Sequence, residues 1–233
     1  MMNLNKSSIR VLGIFTCLFL INLAVYAGIS GEENDLIDKQ PVINSKSDWQ
    51  TMIDNDYVST QYRWLNLSNG NRVIERKARM LLTGVSARSV AEVIRNYKLI
   101  PAWMNAVNET KLILRDGRNY WVIFFVFKLP WPLRNKYLIN EVIEQKHPVL
   151  PLYLFKIQST NQYQPPYDCE VNDFGHYEGL WKVYALSNAL TYVEFSSFST
   201  APPQFPRWIQ DPIVNKVFTK TMVNFFHLVN EKK

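Results

Sequence analysis

The feature that most constrains this chain is a long apolar stripe close to its C-terminus. Residues 211–229 place apolar side chains at i, i+3 and i+4 spacing, which predicts an amphipathic helix with a broad buried face. Asp211 is a suitable N-cap for this helix, and Pro212 suits its first position. The stripe consists of Val214, Val217, Phe218, Met222, Phe225 and Val229. A helix this apolar must lie against a large surface elsewhere in the fold.

Most of the preceding chain has the pattern of consecutive antiparallel strands. Strand-like segments alternate with turn signals, of which Asn69-Gly70 is the strongest because both residues tolerate positive φ. The predicted strands cover residues 57–67, 72–82, 110–115, 120–129, 136–145, 151–160, 177–186 and 190–199. Short turns between strands and helices at the ends predict an α+β fold. One curved antiparallel sheet would then lie against the C-terminal helix, with space between them for an apolar cavity.

Two shorter helices are predicted before the central strands. One begins at Asp48 and carries Trp49, Met52 and Ile53 on one side. The other is capped by Ser86 and continues to residue 97. Both would pack on the sheet through their apolar sides.

The strand at residues 120–127 is apolar on both faces. Trp121, Ile123, Phe125 and Phe127 share one face, and the residues that alternate with them are also apolar. Such a strand is expected to be covered on both sides. We predict that the Trp121 face points into the cavity because its side chains are bulkier.

The first 27 residues have the pattern of a secretory signal peptide. Lys6 and Arg10 form a positive start, residues 11–25 are apolar, and small residues precede a cleavage site after Ala27. The apolar run is shorter than the roughly 20 residues that a membrane span requires, although an uncleaved anchor is the alternative. We therefore expect an exported protein, periplasmic or secreted, with a flexible lead-in at residues 28–47 and a ligand-binding domain at residues 48–233.

Charge and cysteine content narrow the function further. Removing residues 1–27 removes two basic residues and lowers the net charge from +6 to +4. This excess is spread along the chain, so it argues against a nucleic-acid binder but suits contact with an anionic membrane. Only Cys169 remains in the mature chain, and His147, His176 and His227 lack metal-ligand spacing. We expect a monomer without metal, cofactor or internal disulfide.

Four short motifs, in order, carry a resemblance to a known family. They are residues 97–104 (YKLIPAWM), 129–133 (LPWPL), 177–181 (YEGLW) and 206–209 (PRWI). Together they resemble motifs of the START lipid-transfer domains within the wider SRPBCC superfamily, over residues 49–228. The resemblance implies a helix-grip fold that carries a lipid or another apolar molecule in a cavity, with the C-terminal helix as a gate.

This resemblance and the apolar patterns together select candidate ligand-binding residues. They are Trp103, Trp121, Phe125, Phe127, Lys136, Trp181, Phe195, Val214, Phe218 and Met222. Lys136 stands where the family usually has Arg, and Asn172 stands where a second Arg is often found. The head-group preference of the family therefore does not transfer to this chain.

Two other functions remain open from the sequence. The first is a cyclase-like or hydrolase-like enzyme of the same superfamily, for which Glu141 and Glu194 are the residues to examine, although no catalytic constellation is recognisable. The second is an interaction module with a filled core, which a cavity below about 300 Å³ would favour.

Overall fold

The computed structural model describes residues 41–147, 150, 152–169 and 175–231, which belong to the compact unit Pro41–Lys233. The predicted signal peptide, the lead-in as far as residue 40, Asn172 and most of the loop at residues 147–151 lie outside the described residues. The predictions about those segments stay predictions.

Ten strands of the described chain form one curved antiparallel sheet. They are β1 (Ile43–Lys46), β2 (Gln50–Asp54), β3 (Val58–Leu67), β4 (Arg72–Thr83), β5 (Val107–Asp116), β6 (Tyr120–Phe127), β7 (Lys136–Lys146), β8 (Leu152–Ser159), β9 (Tyr177–Ser187) and β10 (Leu190–Ser199). Their order in the sheet is β1-β3-β4-β10-β9-β8-β7-β6-β5, and β2 also pairs with β3. The long connection from β4 leads to β5 at the far edge of the sheet and contains the shorter helices.

Three α-helices in the described segments pack on the sheet. They are α1 (Ala87–Arg95), α2 (Ile100–Trp103), which follows a 3₁₀ turn at Tyr97–Leu99, and α3 (Arg207–Glu231). Ser86 caps α1 as predicted, since its side chain accepts a hydrogen bond from the backbone N–H of Ser89 at 3.1 Å. The long helix α3 contacts β3, β4 and α2. These elements confirm the predicted fold class, a helix-grip arrangement of sheet and C-terminal helix.

The predicted helix at Asp48 is wrong, because residues 50–54 form strand β2. A helix of one or two turns has little stability of its own. As a strand, this segment instead forms backbone hydrogen bonds with the edge of β3. Trp49 precedes β2 and makes two cation–π contacts, in which Arg63 lies 4.2 Å and Lys77 3.7 Å from the centroid of its ring. Strand β1 likewise pairs with β3, within a segment that the sequence assigned to a flexible lead-in.

Helix α3 begins at Arg207, four residues before the predicted N-cap Asp211. The carbonyl of Pro206 accepts from the N–H groups of Ile209 and Gln210, which closes the first turn. Pro212 consequently lies inside the helix rather than at its first position. Its missing N–H would have bonded the carbonyl one turn earlier, at Trp208, and that residue is exposed to solvent.

Strand β6 is covered on both faces, as predicted. The Trp121 face belongs to the main core, whereas Val122, Phe124 and Val126 pack with Ile139 in a separate cluster. No helix in the described part of the chain is long and apolar enough to cross a membrane.

Candidate ligand-binding site

A cavity of about 40 Å³ lies between the concave side of the sheet and helices α1 and α2. We call it the inner cavity. It is lined by Ile94, Ile100, Trp103, Met104, Trp121, Ile123, Phe125, Phe127, Leu138, Asn140, Val142, Ile157, Tyr177, Trp181 and Phe195. Four of these side chains, Trp121, Ile123, Phe125 and Phe127, come from the face of β6 that was predicted to point into a cavity. None of the lining residues is Asp, Glu, His, Lys or Arg.

An aromatic cluster separates the inner cavity from helix α3. Trp181 stacks on Phe195 with ring centroids 4.3 Å apart and also contacts Phe225 of the helix at 4.7 Å. The ring of Trp103 meets Trp181 and Phe225 edge-on, at 6.0 and 5.0 Å. Aromatic pairs at these distances add to the stability gained from apolar burial. Phe225 therefore packs α3 against this cluster.

A second space, the outer cleft, opens beside the N-terminal half of α3 and has a volume of about 140 Å³. It is lined by Val73, Ile74, Arg76, Leu129, Leu133, Lys136, Ser199, Ala201, Pro202, Gln204, Arg207, Gln210, Asp211 and Val214. This set combines an apolar wall with three cationic side chains and one carboxylate. It is therefore suited to a molecule that carries a polar or anionic group on an apolar body.

Charges in the outer cleft are held close to the helix. Burial lowers the pKa of Arg76 to about 10, and Asp211 opposes this shift. Burial also raises the pKa of the Asp211 carboxyl, which Arg207 and Arg76 partly offset. The Arg207 guanidinium lies 3.7 Å from the Asp211 carboxylate. The carboxylate thus offsets part of the positive charge at this end of the cleft.

One face of strand β7 runs from the outer cleft to the inner cavity. Lys136 lines the outer cleft, and Leu138, Asn140 and Val142 follow it at alternate positions and line the inner cavity. Asn140 lies four positions along the strand from Lys136, a distance of about 13 Å. Phe218 lies one helical turn beyond Val214 and stacks on Phe195 at 6.1 Å. Along the helix, Phe218 thus stands between the two spaces.

Among the side-chain hydrogen bonds that attach α3 to its surroundings, one lies near its start, where the Arg207 guanidinium donates to the Arg72 carbonyl at 2.6 Å, and three lie along its middle. Arg76 Nε donates to Asn215 Oδ1 at 2.8 Å, and the hydroxyls of Thr60 and Thr219 lie 3.1 Å apart. The backbone N–H of Asn105 donates to the hydroxyl of Thr221 at 2.9 Å. Each neutral hydrogen bond contributes only about 1 kcal/mol and the bond from the charged Arg76 about 1.5–3 kcal/mol.

The structure divides the ten predicted ligand-binding residues among three places. Trp103, Trp121, Phe125, Phe127, Trp181 and Phe195 line the inner cavity, and Lys136 and Val214 line the outer cleft. Phe218 and Met222 are on the buried side of α3, belong to the main core and line neither space. The helix therefore contributes less to the inner cavity than the sequence suggested, because α1 and α2 cover it.

Asn140 is the residue that the sequence analysis missed. Its signal is a polar side chain among the inward positions of β7, where Leu138 and Val142 are apolar. The two carboxylates singled out earlier lie elsewhere. Glu194 faces Arg79 and Lys182, each at 3.4 Å, and Glu141 hydrogen-bonds with Tyr120 on the other face of the sheet.

Solved structures with a similar fold include two that are named as lipid-transfer proteins. Human StAR-related lipid transfer protein 5 has a TM-score of 0.65 at 11% identity, over 95% of this chain and 98% of that one. A STAR-related lipid transfer protein from Xanthomonas axonopodis has a TM-score of 0.63 at 17% identity, over 78% of this chain and 98% of that one. For human STARD10 the values are 0.62 and 17%, over 78% and 72% of the two chains. The protein thus has a START-like helix-grip fold.

No protein-family model and no curated protein matches the amino-acid sequence.

Proposed function

We propose that this START-like protein is an exported carrier, not a catalyst, which binds a lipid or another apolar molecule and exchanges it with a membrane. The observation that carries the proposal is the face of β7 that joins a cationic outer cleft to an uncharged aromatic cavity. An amphiphile fits these two spaces, with its apolar part in the inner cavity and its polar part in the outer cleft. The names of the structurally similar proteins support the same class of ligand.

Uptake of such a ligand requires the protein to open. Pockets for ligands of ordinary size have volumes of about 300–1,000 Å³, whereas the inner cavity has about 40 Å³. We infer that α3 moves away from the sheet, because its Phe218 and Phe225 cover the aromatic cluster. The described structure is then the closed form, and the aromatic rings of the cluster fill the space that the ligand takes.

Two exposed tryptophans beside the outer cleft support contact with a membrane. Trp131 is 91% exposed in the loop between β6 and β7, and Trp208 is 79% exposed in the first turn of α3. The backbone N–H of Arg134 in this loop donates to Gln204 Oε1, and the backbone N–H of Gln204 donates to Gln210 Oε1 of α3. We call Lys128, Trp131, Arg134 and Trp208 the docking face. Tryptophan favours the membrane interface, and the basic side chains favour anionic lipid.

The first prediction concerns the ligand itself. Protein purified from its native host under mild conditions is expected to retain a co-purifying apolar molecule, which native mass spectrometry detects as an added mass. The polypeptide mass in the same spectrum is expected to begin at Gly28, because the signal peptide has been removed. A spectrum with polypeptide alone, from several mild preparations, would count against the carrier function.

The second prediction concerns the docking face. A Trp131→Ser, Trp208→Ser variant is expected to bind vesicles of phosphatidylcholine and phosphatidylglycerol about 100-fold more weakly, since each ring contributes about 1.5 kcal/mol. Sedimentation with vesicles measures the partition, and thermal unfolding should be nearly unchanged because both rings are exposed.

The matched control removes two exposed apolar side chains at the other end of β6. Leu114 and Ile143 are 39% and 40% exposed and lie beside the end of the strand that begins at Tyr120. A Leu114→Ser, Ile143→Ser variant is expected to bind vesicles like the wild type. Equal losses in the two variants would show that the docking face has no special role.

An interaction module is the second candidate, and the small volume of the inner cavity favours it. In that case α3 would stay closed and the docking face would bind a protein rather than a membrane. Absence of vesicle binding, together with the absence of a co-purifying ligand, would support this alternative.

A further inference from the structure

Three buried polar atoms beside the inner cavity lack hydrogen-bond partners within the part of the chain that the structure describes. They are the indole nitrogens of Trp103 and Trp121 and the side-chain oxygen Oδ1 of Asn140. The three residues are 3%, 1% and 3% exposed, and all three line the inner cavity. Buried polar groups in folded proteins are nearly always paired, so three unpaired groups at one cavity require an explanation.

The strand register brings two of these groups together on the concave side of the sheet. Ile123 of β6 lies directly opposite Asn140 of β7, and Trp121 lies opposite Val142. Trp121 and Asn140 are therefore diagonal neighbours on the same face, within reach of one small group. Trp103 approaches the cavity from α2, on the side opposite the sheet.

These atoms form a complementary set. An indole N–H can only donate, and the amide oxygen of Asn140 can only accept. A hydroxyl group both donates and accepts, so one hydroxyl can bond an indole N–H and the amide oxygen at the same time. A carboxylate can accept from the indoles but would meet the Asn140 oxygen without a proton between them, and none of the described residues that line the inner cavity is cationic.

We propose that the inner cavity selects an uncharged apolar alcohol, whose hydroxyl accepts from Trp121 or Trp103 and donates to Asn140. The inference rests on the proposed carrier function and names the class of ligand. The apolar body of the alcohol fills the inner cavity and passes Leu138 along the inward face of β7, and a second polar group at its other end, in a ligand that has one, meets the outer cleft.

Three probes of equal chain length test the hydroxyl requirement. Decanol donates and accepts, decyl methyl ether only accepts, and decanoate is charged. Displacement of the neutral fluorescent dye phenylnaphthylamine from the full chain measures the affinity of each. Decanol is expected to bind about tenfold more tightly than the ether, the value of one net hydrogen bond, and decanoate is expected to bind more weakly than decanol.

Two variants assign the preference to the residues. Asn140→Leu is nearly isosteric, so it should make decanol and the ether bind equally while the ether itself is unaffected. The same variant is expected to raise the unfolding temperature of the ligand-free protein, because it removes an unpaired buried acceptor. Trp103→Phe and Trp121→Phe each remove one indole N–H. The variant that removes the donor to the ligand is expected to bind both neutral probes more weakly.

The outcomes separate this inference from the carrier function. A preference for decanol that disappears in Asn140→Leu supports the inference. Equal binding of the neutral probes, tighter binding of decanoate, or a preference that survives Asn140→Leu overturns the inference and leaves the carrier function standing. Failure of the dye and of every probe to bind overturns both.

Discussion

A protein carrying Thr60→Cys and Thr219→Cys is expected, once oxidised, to take up apolar ligand about 100-fold more slowly than when reduced. The hydroxyl oxygens of these two residues lie 3.1 Å apart across the contact between β3 and α3. Sulfur atoms in their place need to approach by about 1 Å to reach the S–S bond length of about 2.05 Å. The cross-link would hold α3 in its closed position, and a stabilisation of about 3 kcal/mol corresponds to roughly a 100-fold loss of the open form.

This experiment uses dye uptake by the full chain in a Cys17→Ser, Cys169→Ser background, which removes the two native cysteines. Reduction with dithiothreitol should restore the rate. A Thr60→Val, Thr219→Val variant is the matched control, because it removes the hydroxyl contact without adding a bond and should not slow uptake. Equal uptake by the oxidised and reduced forms would show that ligand does not enter by movement of α3.

Replacing Trp181 with alanine is expected to reduce the free energy of unfolding by about 3–5 kcal/mol. The Trp181 ring is 2% exposed and contacts Trp103, Phe195 and Phe225 at centroid distances of 6.0 Å or less, so its loss leaves a hole that these rings can close only in part. Urea unfolding measures the change. Indole added to the Trp181→Ala variant should fill the hole and recover part of the stability, and it should stabilise the wild type much less.

Trp131→Ala is the matched control for this prediction, since Trp131 is 91% exposed. Its effect on the free energy of unfolding should stay within about 0.5 kcal/mol. A loss of less than about 1 kcal/mol in Trp181→Ala would mean that α3 settles onto the sheet without the ring. The aromatic cluster would then be a movable lining and would not fix the closed position of α3.

Local patterns in the sequence predicted most of the elements. Alternation along residues 120–127 predicted a strand with two buried faces, and the structure places Trp121, Phe125 and Phe127 at the cavity. This succeeds because the direction of a side chain on a strand depends on the parity of its position. Ser86 was predictable for a similar reason, since the cap bonds within its own turn.

Predictions failed where distant segments compete for the same residues. Residues 50–54 have an apolar pattern that also fits a helix, but the open edge of β3 offers them backbone hydrogen bonds. Nothing within those five residues reveals that edge. The start of α3 at Arg207 is a milder case, because the carbonyl of Pro206 closes the first turn in place of the expected Asp211 cap.

The sequence by itself determined the order of strands β3 to β10 and of helices α1 and α3, the two apolar faces of β6, and the resemblance to a helix-grip fold. Only the tertiary structure decided the volume of the inner cavity, the residues that close it, and the lack, among the described residues, of hydrogen-bond partners for side-chain atoms of Asn140, Trp103 and Trp121. A volume is the small space left between side chains from β6, β7, β9 and α2, which meet only after folding. Whether a buried polar group is paired likewise depends on all of its neighbours, so it cannot be read from the residue and its position in the chain.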